Sequence, residues 1–366
     1  LKVCHLTSAH PRYDTRIFVK MCRTCVEQGW NTYLVVADNL GDEVKDGVAI
    51  LDVGSSSNKR LKRFTKAVWS VYKKAVELDA DIYHLHDPEL LSIALLLKSK
   101  GKKVIFDAHE DLPKQILSKP YLKPYQAKAI SFFAKNFESF VCKMLDGVVA
   151  ATPYIKAKFE LYKCNTEAVN NFPIIEEFPE ITTRNTNSSF TACYIGYISK
   201  VRGVIEMLDA LDLTEGLALS IAGKFNDKGL EKLARNHPAW PKINDCGWLS
   251  REGVSELMAD SSVGLVTLHP TINYQDALPV KMFEYMAAGI PLIATDVPYW
   301  RDIVESTECG LVVDPFDKHA YSESLNYLKN NPDIAAKMGK NGRKAIESQF
   351  NWSLEKEKLI SFYNHL

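Results

Sequence analysis

Short apolar runs rich in β-branched residues alternate with longer amphipathic stretches along most of this 366-residue chain. In the first half, Val3–Thr7, Thr32–Val36, Val48–Val53, Ile82–His86, Lys103–Asp107, Gly147–Ala150 and Ala168–Asn170 are predicted strands. Most are separated by segments of helical length: Arg16–Gln28, Lys59–Leu78, Pro88–Lys100, Tyr125–Leu145 and Thr152–Leu161. Such alternation predicts βαβ units and a parallel sheet. It stops after Phe172-Pro173, where two prolines, a small acidic cluster and the polar run Thr182–Ser189 mark a linker. It then restarts with strands at Thr191–Ile195, Ala218–Ala222, Ile243–Cys246, Val263–Thr267 and Pro291–Thr295. The intervening helices are Val201–Leu211, Lys228–Arg235, Glu252–Ala259 and Lys281–Ala288, and a helical tail follows. The expected fold is α/β, with two Rossmann-like domains whose parallel sheets face each other across a cleft. Residues 1–173 would form the first and 174–349 the second, with the amphipathic tail, about 350–366, packing back on the first.

In open parallel sheets ligands bind beyond the carboxyl ends of the strands. There the chain is polar: Ser8-Ala9-His10, His86-Asp87-Pro88-Glu89, His109-Glu110-Asp111, Gly196-Tyr197 with Lys200 and Arg202, Gly223-Lys224 and His269-Pro270. The most informative stretch is Asp276–Pro291, in which seven residues separate Asp276 from Glu284. With Asp276 in a loop and Glu284 in the first turns of the following helix, both carboxylates can face one side and bind vicinal hydroxyls of a ribose or hexose. The loop amides and helix N-terminus add positive potential suited to a diphosphate. Pro279 lacks an amide N–H, so Asp276 to Leu278 and Val280 onward must supply these donors. Arg202 precedes Gly203 at the opening of a helix; guanidinium binds phosphate bidentately, and glycine lets the backbone approach closely. Lys224 offers a second cation near that rim. Taken singly, each of these residues also fits a solvated surface charge.

Charge changes this picture only when divided. The 45 Lys+Arg and 45 Asp+Glu cancel, which argues against a dedicated nucleic-acid binder. Residues 1–173, however, carry 26 basic and 19 acidic side chains, and the remainder carries the reverse. The basic, aromatic-bearing segment Lys59–Lys74 either lies on an anionic membrane or packs its apolar side on the first sheet. No apolar run approaches the ~18–20 residues of a membrane span, and the N-terminal residues lack a signal-peptide profile. The expected location is cytoplasmic, with a peripheral place on the membrane left open.

Eight scattered cysteines form no disulfide framework. Cys22 and Cys25 fall at i and i+3 on an apolar helix face, so they are expected to be buried reduced thiols. His84 and His86 share a strand face, yet no third ligand stands at a telling distance and no metal is expected. Asp79-Ala80-Asp81 resembles a metal-binding Asp-x-Asp but precedes its strand instead of following it. The chain has no Walker loop, and no Gly-x-Gly-x-x-Gly follows the first strand, which counts against ATP and NAD chemistry.

Together these stretches resemble glycosyltransferase family four, retaining and metal-independent enzymes of the GT-B fold. The second half carries Asp276 through Phe283-Glu284-Tyr285-Met286-Ala287-Ala288-Gly289-Ile290-Pro291, similar to that family's Glu-x7-Glu segment. The first half carries His10-Pro11-Arg12-Tyr13-Asp14-Thr15-Arg16-Ile17-Phe18, His84 through Leu90 and Asp107-Ala108-His109-Glu110, similar to a bacterial subgroup that builds surface polysaccharides. The resemblance implies that Glu284 holds the ribose of a nucleotide sugar and Asp276 contacts the donor hexose. Ala277, Leu278 and Lys281 would lie on the donor side, and Arg202-Gly203 and Lys224 would face the diphosphate. His109 would sit near the transferred sugar, while Asp14 and Arg16 would line the acceptor side. Two departures stand out: Asp276 where the family has Glu, and Tyr197 where many members have Arg.

The implied reaction passes a hexose from a nucleotide-diphosphate sugar, a UDP-sugar in preference to a GDP-sugar, to a saccharide or polyprenyl-diphosphate-linked acceptor. Retention would follow if the acceptor attacks from the leaving-group face while a diphosphate oxygen takes its proton. Competing readings are a nucleotide-sugar 2-epimerase on the same fold and a non-catalytic nucleotide-sugar-binding subunit.

Overall fold

The β-branched runs form strands that are buried on both faces, as parallel sheets covered by helices require. The computed structural model describes residues 1–54, 63–119, 121–179, 190–272 and 274–366. It divides into two units, Leu1–Asn171 with Ser353–Leu366, and Phe172–Trp352.

In the first unit the strands are β1 (Lys2–Leu6), β2 (Asn31–Val36), β3 (Glu43–Lys45), β4 (Val48–Asp52), β5 (Ile82–Leu85), β6 (Lys103–Ala108), β7 (Gly147–Ala150) and β8 (Thr166–Ala168). Their order is β3-β4-β2-β1-β5-β6-β7-β8, and among the pairings only β3 with β4 is antiparallel. The chain leaves β1 toward β2 and returns on its other side at β5, so the topological switch lies between the ends of β1 and β5. One face of the sheet packs Leu6, Tyr83, Leu85, Val104 and Phe106 against Val71, Leu91, Leu97, Val141 and Phe159. The other packs Leu34, Val36, Val48 and Ile50 against Ile17, Phe18 and Cys22.

Three local features of the first unit depart from the sequence pattern, and in the second a strand, Gly310–Val313, interrupts the expected helical tail. The segment Arg16–Gln28 starts as a wide-turned helix, Thr15–Cys22, and tightens to an α-helix only over Arg23–Glu27. Asp14 caps it, accepting from the amides of Arg16 (2.8 Å) and Ile17 (3.0 Å), and the wide turn carries Arg16 and Lys20 inward. Strand β3 was not anticipated because it is three residues long with a half-exposed surface. It joins β4 through Asp46-Gly47, both at positive φ (48° and 78°), the conformation of a two-residue hairpin turn. Strand β8 ends at Ala168 instead of Asn170, since the Asn170 amide and side chain turn to Glu355 (2.8 and 3.1 Å).

Glu355 lies on the last helix, Trp352–Asn364, which completes the first unit. Its Phe362 ring occupies the space that a Cβ at Gly147 would fill, and the Tyr363 hydroxyl lies 2.5 Å from His84 Nδ1. Of the basic segment Lys59–Lys74, residues 59–62 fall outside the described residues, as does the polar run 182–189. Within the helix Val68–Leu78, the side chains of Val68, Val71 and Ala75 are buried while Trp69 is half exposed.

The second unit orders β11 (Ile243–Gly247), β10 (Ala218–Ala222), β9 (Thr191–Ile195), β12 (Val263–Val266), β13 (Leu292–Thr295) and β14 (Gly310–Val313), all parallel. Its switch lies between β9 and β12. The helix Val280–Ala287 is buried from Lys281 onward. Tyr285 lies against β12, where a Cβ at Gly264 would come within 2.3 Å of its ring. Among the described residues no helix is long and apolar enough to cross a membrane.

Candidate functional site

At the first unit's switch point, β1 and β5 run in register, His5 beside His84, and their polar ends meet. Asp87 accepts from the Thr7 hydroxyl (2.8 Å) and the Ser8 amide (2.6 Å), and its other oxygen faces His10 Nδ1 at 2.9 Å. Burial works against the charge on Asp87, but these partners hold its carboxyl at about 2. Burial also opposes protonation of His10; the Asp87 hydrogen bond and charge outweigh it and raise the imidazole to about 8. His10 is therefore a cation at neutral pH, and its ring stacks on His109 at 5.1 Å.

Beneath them lies a buried polar chain. Arg16 clamps Asp107 through Nε (3.0 Å) and Nη2 (2.7 Å) and gives Nη1 to the Val169 carbonyl (2.8 Å). Asp107 Oδ2 also accepts from His86 Nδ1 (2.9 Å), and His86 Nε2 meets His5 Nδ1 (2.9 Å). Burial keeps His86 neutral, with its pKa lowered to about 3, and it depresses His5 and His84 as well. A neutral His86 that donates to Asp107 must accept at Nε2, so His5 donates from Nδ1 and is left with a bare Nε2. The Cys25 thiol stands 3.7 Å from that nitrogen. His109 Nε2 comes within 2.9 Å of Asp107 Oδ2 but off a hydrogen-bonding axis.

Sequence spacing offered no third partner for His84 and His86; the sheet register supplies His5. The ligand atoms of His5, His84 and His86, and those of His86, Asp107 and His109, lie close enough together to hold a cation. Most of those atoms already face one another or a protein partner, so the arrangement works as a positioning network as it stands.

The second unit's rim has a different character. The chain leaves β9 at Gly196, which is at φ 121°; a Cβ there would lie 3.2 Å from Arg202 Nη1 and 3.6 Å from Lys281 Nζ. Gly203, at φ 74°, opens the next helix where a Cβ would stand 2.2 Å from the Thr267 carbonyl, and Thr267 Oγ1 donates to the Arg202 carbonyl (2.8 Å). Lys281 Nζ is buried with no hydrogen-bond partner and lies 3.5 Å from the centre of the Tyr194 ring. Burial, reinforced by neighbouring Arg202, pushes its pKa well below the usual lysine range, with Glu284 partly opposing. Three residues along the helix, Glu284 approaches Arg251 at 3.6 Å, and Arg251 is itself held by Glu177. Asp276, Ala277 and Leu278 lie half-buried in the preceding loop, which the Trp300 indole N–H pins at the Ala277 carbonyl (2.7 Å). Lys224 is exposed, 5.4 Å above the Trp248 ring, which also packs on Tyr197 at 5.5 Å.

Two family models match, Glycosyltransferase Family 4 over residues 15–171 and Glycosyl transferases group 1 over residues 175–345. Each unit thus carries a glycosyltransferase domain, and the chain is a glycosyltransferase. It is 35% identical to the capsular polysaccharide biosynthesis glycosyltransferase CapM of Staphylococcus aureus over 49% of this chain and 47% of that one, so the match spans about half the relative's length. Among solved structures, sucrose-phosphate synthase from Thermosynechococcus elongatus superposes with a TM-score of 0.81 at 15% identity, covering 100% and 98% of the two chains. Anabaena HepE in complex with UDP-glucose gives 0.76 at 14%, covering both chains fully. These place the glycosyltransferase in the GT-B fold, two parallel-sheet α/β domains.

Within the glycosyltransferase, the structure gathers Arg202, Gly203, Lys281 and Glu284 at one rim, with the Asp276–Leu278 loop leading into their helix. Arg16 departs from its expected acceptor-side place. Its guanidinium is buried and spent on Asp107 and Val169, while Asp14, half-buried, caps the helix through Oδ1. One residue escaped the sequence reading. His10 and Gly196 stand where their place just after a strand put them, but Arg251 stood at a helix start with nothing to mark it.

Proposed function

We propose that this glycosyltransferase transfers a hexose, with retention, from a nucleotide-diphosphate sugar to a saccharide or polyprenyl-diphosphate-linked acceptor in surface-polysaccharide synthesis. The observation that carries the proposal is Lys281: a buried amine with no hydrogen-bond partner, its charged form disfavoured by burial, beside Arg202 and a side-chain-free Gly196. An unpaired buried charge is costly, and a diphosphate supplies the missing counter-charge and acceptors.

Arg202, Lys281 and the amides opening the helix at Val280 neutralise charge building on the leaving diphosphate. Glu284, steadied by Arg251, accepts from the ribose hydroxyls, and Asp276 from the hexose. As the bond from anomeric carbon to diphosphate oxygen breaks, the carbon becomes oxocarbenium-like. The acceptor hydroxyl oxygen bonds to it from the same face and its proton passes to the departing diphosphate. No protein nucleophile is required, and these cations take over the charge neutralisation that a divalent ion would otherwise provide. UDP-glucose bound to the HepE neighbour supports a UDP-sugar as the first donor to test. Calorimetric titration with UDP- and GDP-sugars in chelator should show binding that Lys281→Met weakens. Donor hydrolysis or transfer should follow for the bound sugar. Undiminished binding by the variant overturns the site, and NMR of donor alone showing inversion at C2 overturns transfer in favour of epimerisation.

A further inference from the structure

The helix Pro124–Cys142 of the first unit is built inside out. Its 19 residues extend about 28 Å. Its inward side chains are Ala127, Ser131, Glu138, Val141 and Cys142, two of the five polar. Ser131 donates to the Pro113 carbonyl (2.9 Å), and Glu138 pairs with Lys158 (2.6 Å). The outward side, at helical spacing, presents Tyr125, Phe132, Phe133, Phe137 and Phe140, 47–69% exposed. Ile130 and Met144 extend the same face. Isolated exposed apolar residues are ordinary, but a contiguous aromatic face along an entire helix marks an interaction surface.

Charge identifies the partner. Residues 112–144 contain six lysines and one acid, and that acid is the buried Glu138. Lys128 and Lys135, seven residues apart, run along the shoulder between the aromatic and buried faces, and Lys123 and Lys143 are exposed at the two ends. Aromatic rings flanked by lysines at the waterline are the pattern of a helix lying in the headgroup region of an anionic bilayer. A protein partner of opposite charge would need acids placed against each lysine, whereas a lipid surface supplies negative charge wherever the helix lands. A cavity of about 360 Å³ beside this helix is lined by Lys114, Leu117, Lys135, Tyr154, Leu161 and the Asp111–Lys158 ion pair, and Leu117 and Leu161 are exposed. It continues the mixture of apolar walls and cations onto the neighbouring surface.

We infer that Pro124–Cys142 docks the protein in-plane on an anionic phospholipid surface, with the four phenylalanines immersed and the lysines at the phosphate level. The inference deepens the lipid-linked-acceptor reading by naming the element that meets the membrane, and it places that role here instead of on Lys59–Lys74.

The test is flotation of the full chain with phosphatidylcholine vesicles, with and without phosphatidylglycerol. The wild type should float with the anionic vesicles, weakly with the neutral ones, and less as salt rises. Substituting Phe132, Phe133, Phe137 and Phe140 by Ser should reduce anionic-vesicle binding roughly tenfold or more. Because these side chains already face water, the variant should keep its circular dichroism and thermal midpoint. Substituting Lys128, Lys135 and Lys143 by Gln should remove the salt-sensitive part. In a Phe137→Trp variant, indole emission should shift to the blue on anionic vesicles. Absence of wild-type flotation, or wild-type flotation by the folded Phe variant, overturns the inference. So does a concentration-dependent dimer that the Phe variant abolishes, since the face would then belong to a second copy. UDP-sugar binding without vesicles separates the two readings, because the docking can fail while the donor site stands, and the reverse.

Discussion

The two units use one solution for opposite ends at their topological switch points. In the first, Arg16, Asp107, His86, His5 and Cys25 are paired in sequence, and Asp87 is saturated by Thr7, Ser8 and His10. In the second, Lys281 Nζ is buried over the Tyr194 ring with no hydrogen-bond partner, and Arg202 stands beside it. A satisfied buried network fixes positions, while an unsatisfied buried cation holds free energy that an anion can release. The first rim therefore presents His10 and His109 in set orientations, and the second waits for a ligand. Substitutions should show this as a separation: stability lost at the first rim, binding lost at the second.

The largest effect is expected from Asp107→Asn. It leaves the Arg16 guanidinium buried without its carboxylate and leaves a single oxygen where two now accept from Arg16 and His86. Breaking a buried pair at one partner costs about 3–5 kcal/mol. Chemical denaturation should show a loss of that order. A loss under about 1 kcal/mol, the worth of an exposed pair, would mean that the network does not carry the first unit.

Next is Arg202→Ala, which should lower transfer by roughly a hundred- to a thousandfold, the usual consequence of removing one group that stabilises transition-state charge. Stability should change little, because Arg202 makes its polar contacts with tyrosine hydroxyls, not a buried carboxylate. A variant that unfolds instead would place Arg202 with the first rim's paired groups.

Lys281→Met sharpens the contrast by predicting opposite signs in one protein. Removing a buried amine with no hydrogen-bond partner should leave the apoprotein as stable as before or about 1 kcal/mol more so. UDP affinity should fall roughly tenfold, the loss of one charge-assisted contact. Thermal midpoints with and without UDP read both quantities: the unliganded midpoint holds or rises, and the ligand-induced shift shrinks. A fall in the unliganded midpoint would show that Lys281 has a structural partner after all.

How much of this was legible beforehand follows from which interactions are local. The strand runs, the Asp276–Glu284 loop and the glycine after Arg202 depend on residues near one another in the chain, and periodicity and turn chemistry expose them. His5 joins His84 and His86 only through the β1–β5 register, across 79 residues, so chain spacing could not count it. Arg16 was placed on the acceptor side by the resemblance alone; its guanidinium turns inward onto Asp107, a partner 91 residues away that chain spacing does not reveal. The helix Pro124–Cys142 misleads for another reason. Amphipathic periodicity reports that a helix has two faces but not which is inward, and here Glu138 and Ser131 found partners inside while the phenylalanines did not.

The smallest effects are in pH, and they divide the first rim itself. His86 has its pKa lowered from 6.5 to about 3, so below about 6.5 the unfolded chain binds a proton that the folded chain refuses. Stability must therefore fall as pH drops below about 6.5, and His5 and His84, depressed by the same burial, add to the fall. His10 has the opposite sign. Its pKa is raised from 6.5 to about 8, so its contribution is complete below about 6.5 and disappears as pH rises through about 8. In His10→Gln the gap in thermal midpoint from wild type should be constant below about 6.5, narrow through about 8 and close above it. The acid-side loss should persist unchanged in that variant, because its source is the buried histidines. A gap that does not vary with pH would show that His10 meets Asp87 as a neutral imidazole. The cation at the mouth of the first rim would then be absent, and the contrast would be between a neutral rim and a cationic one.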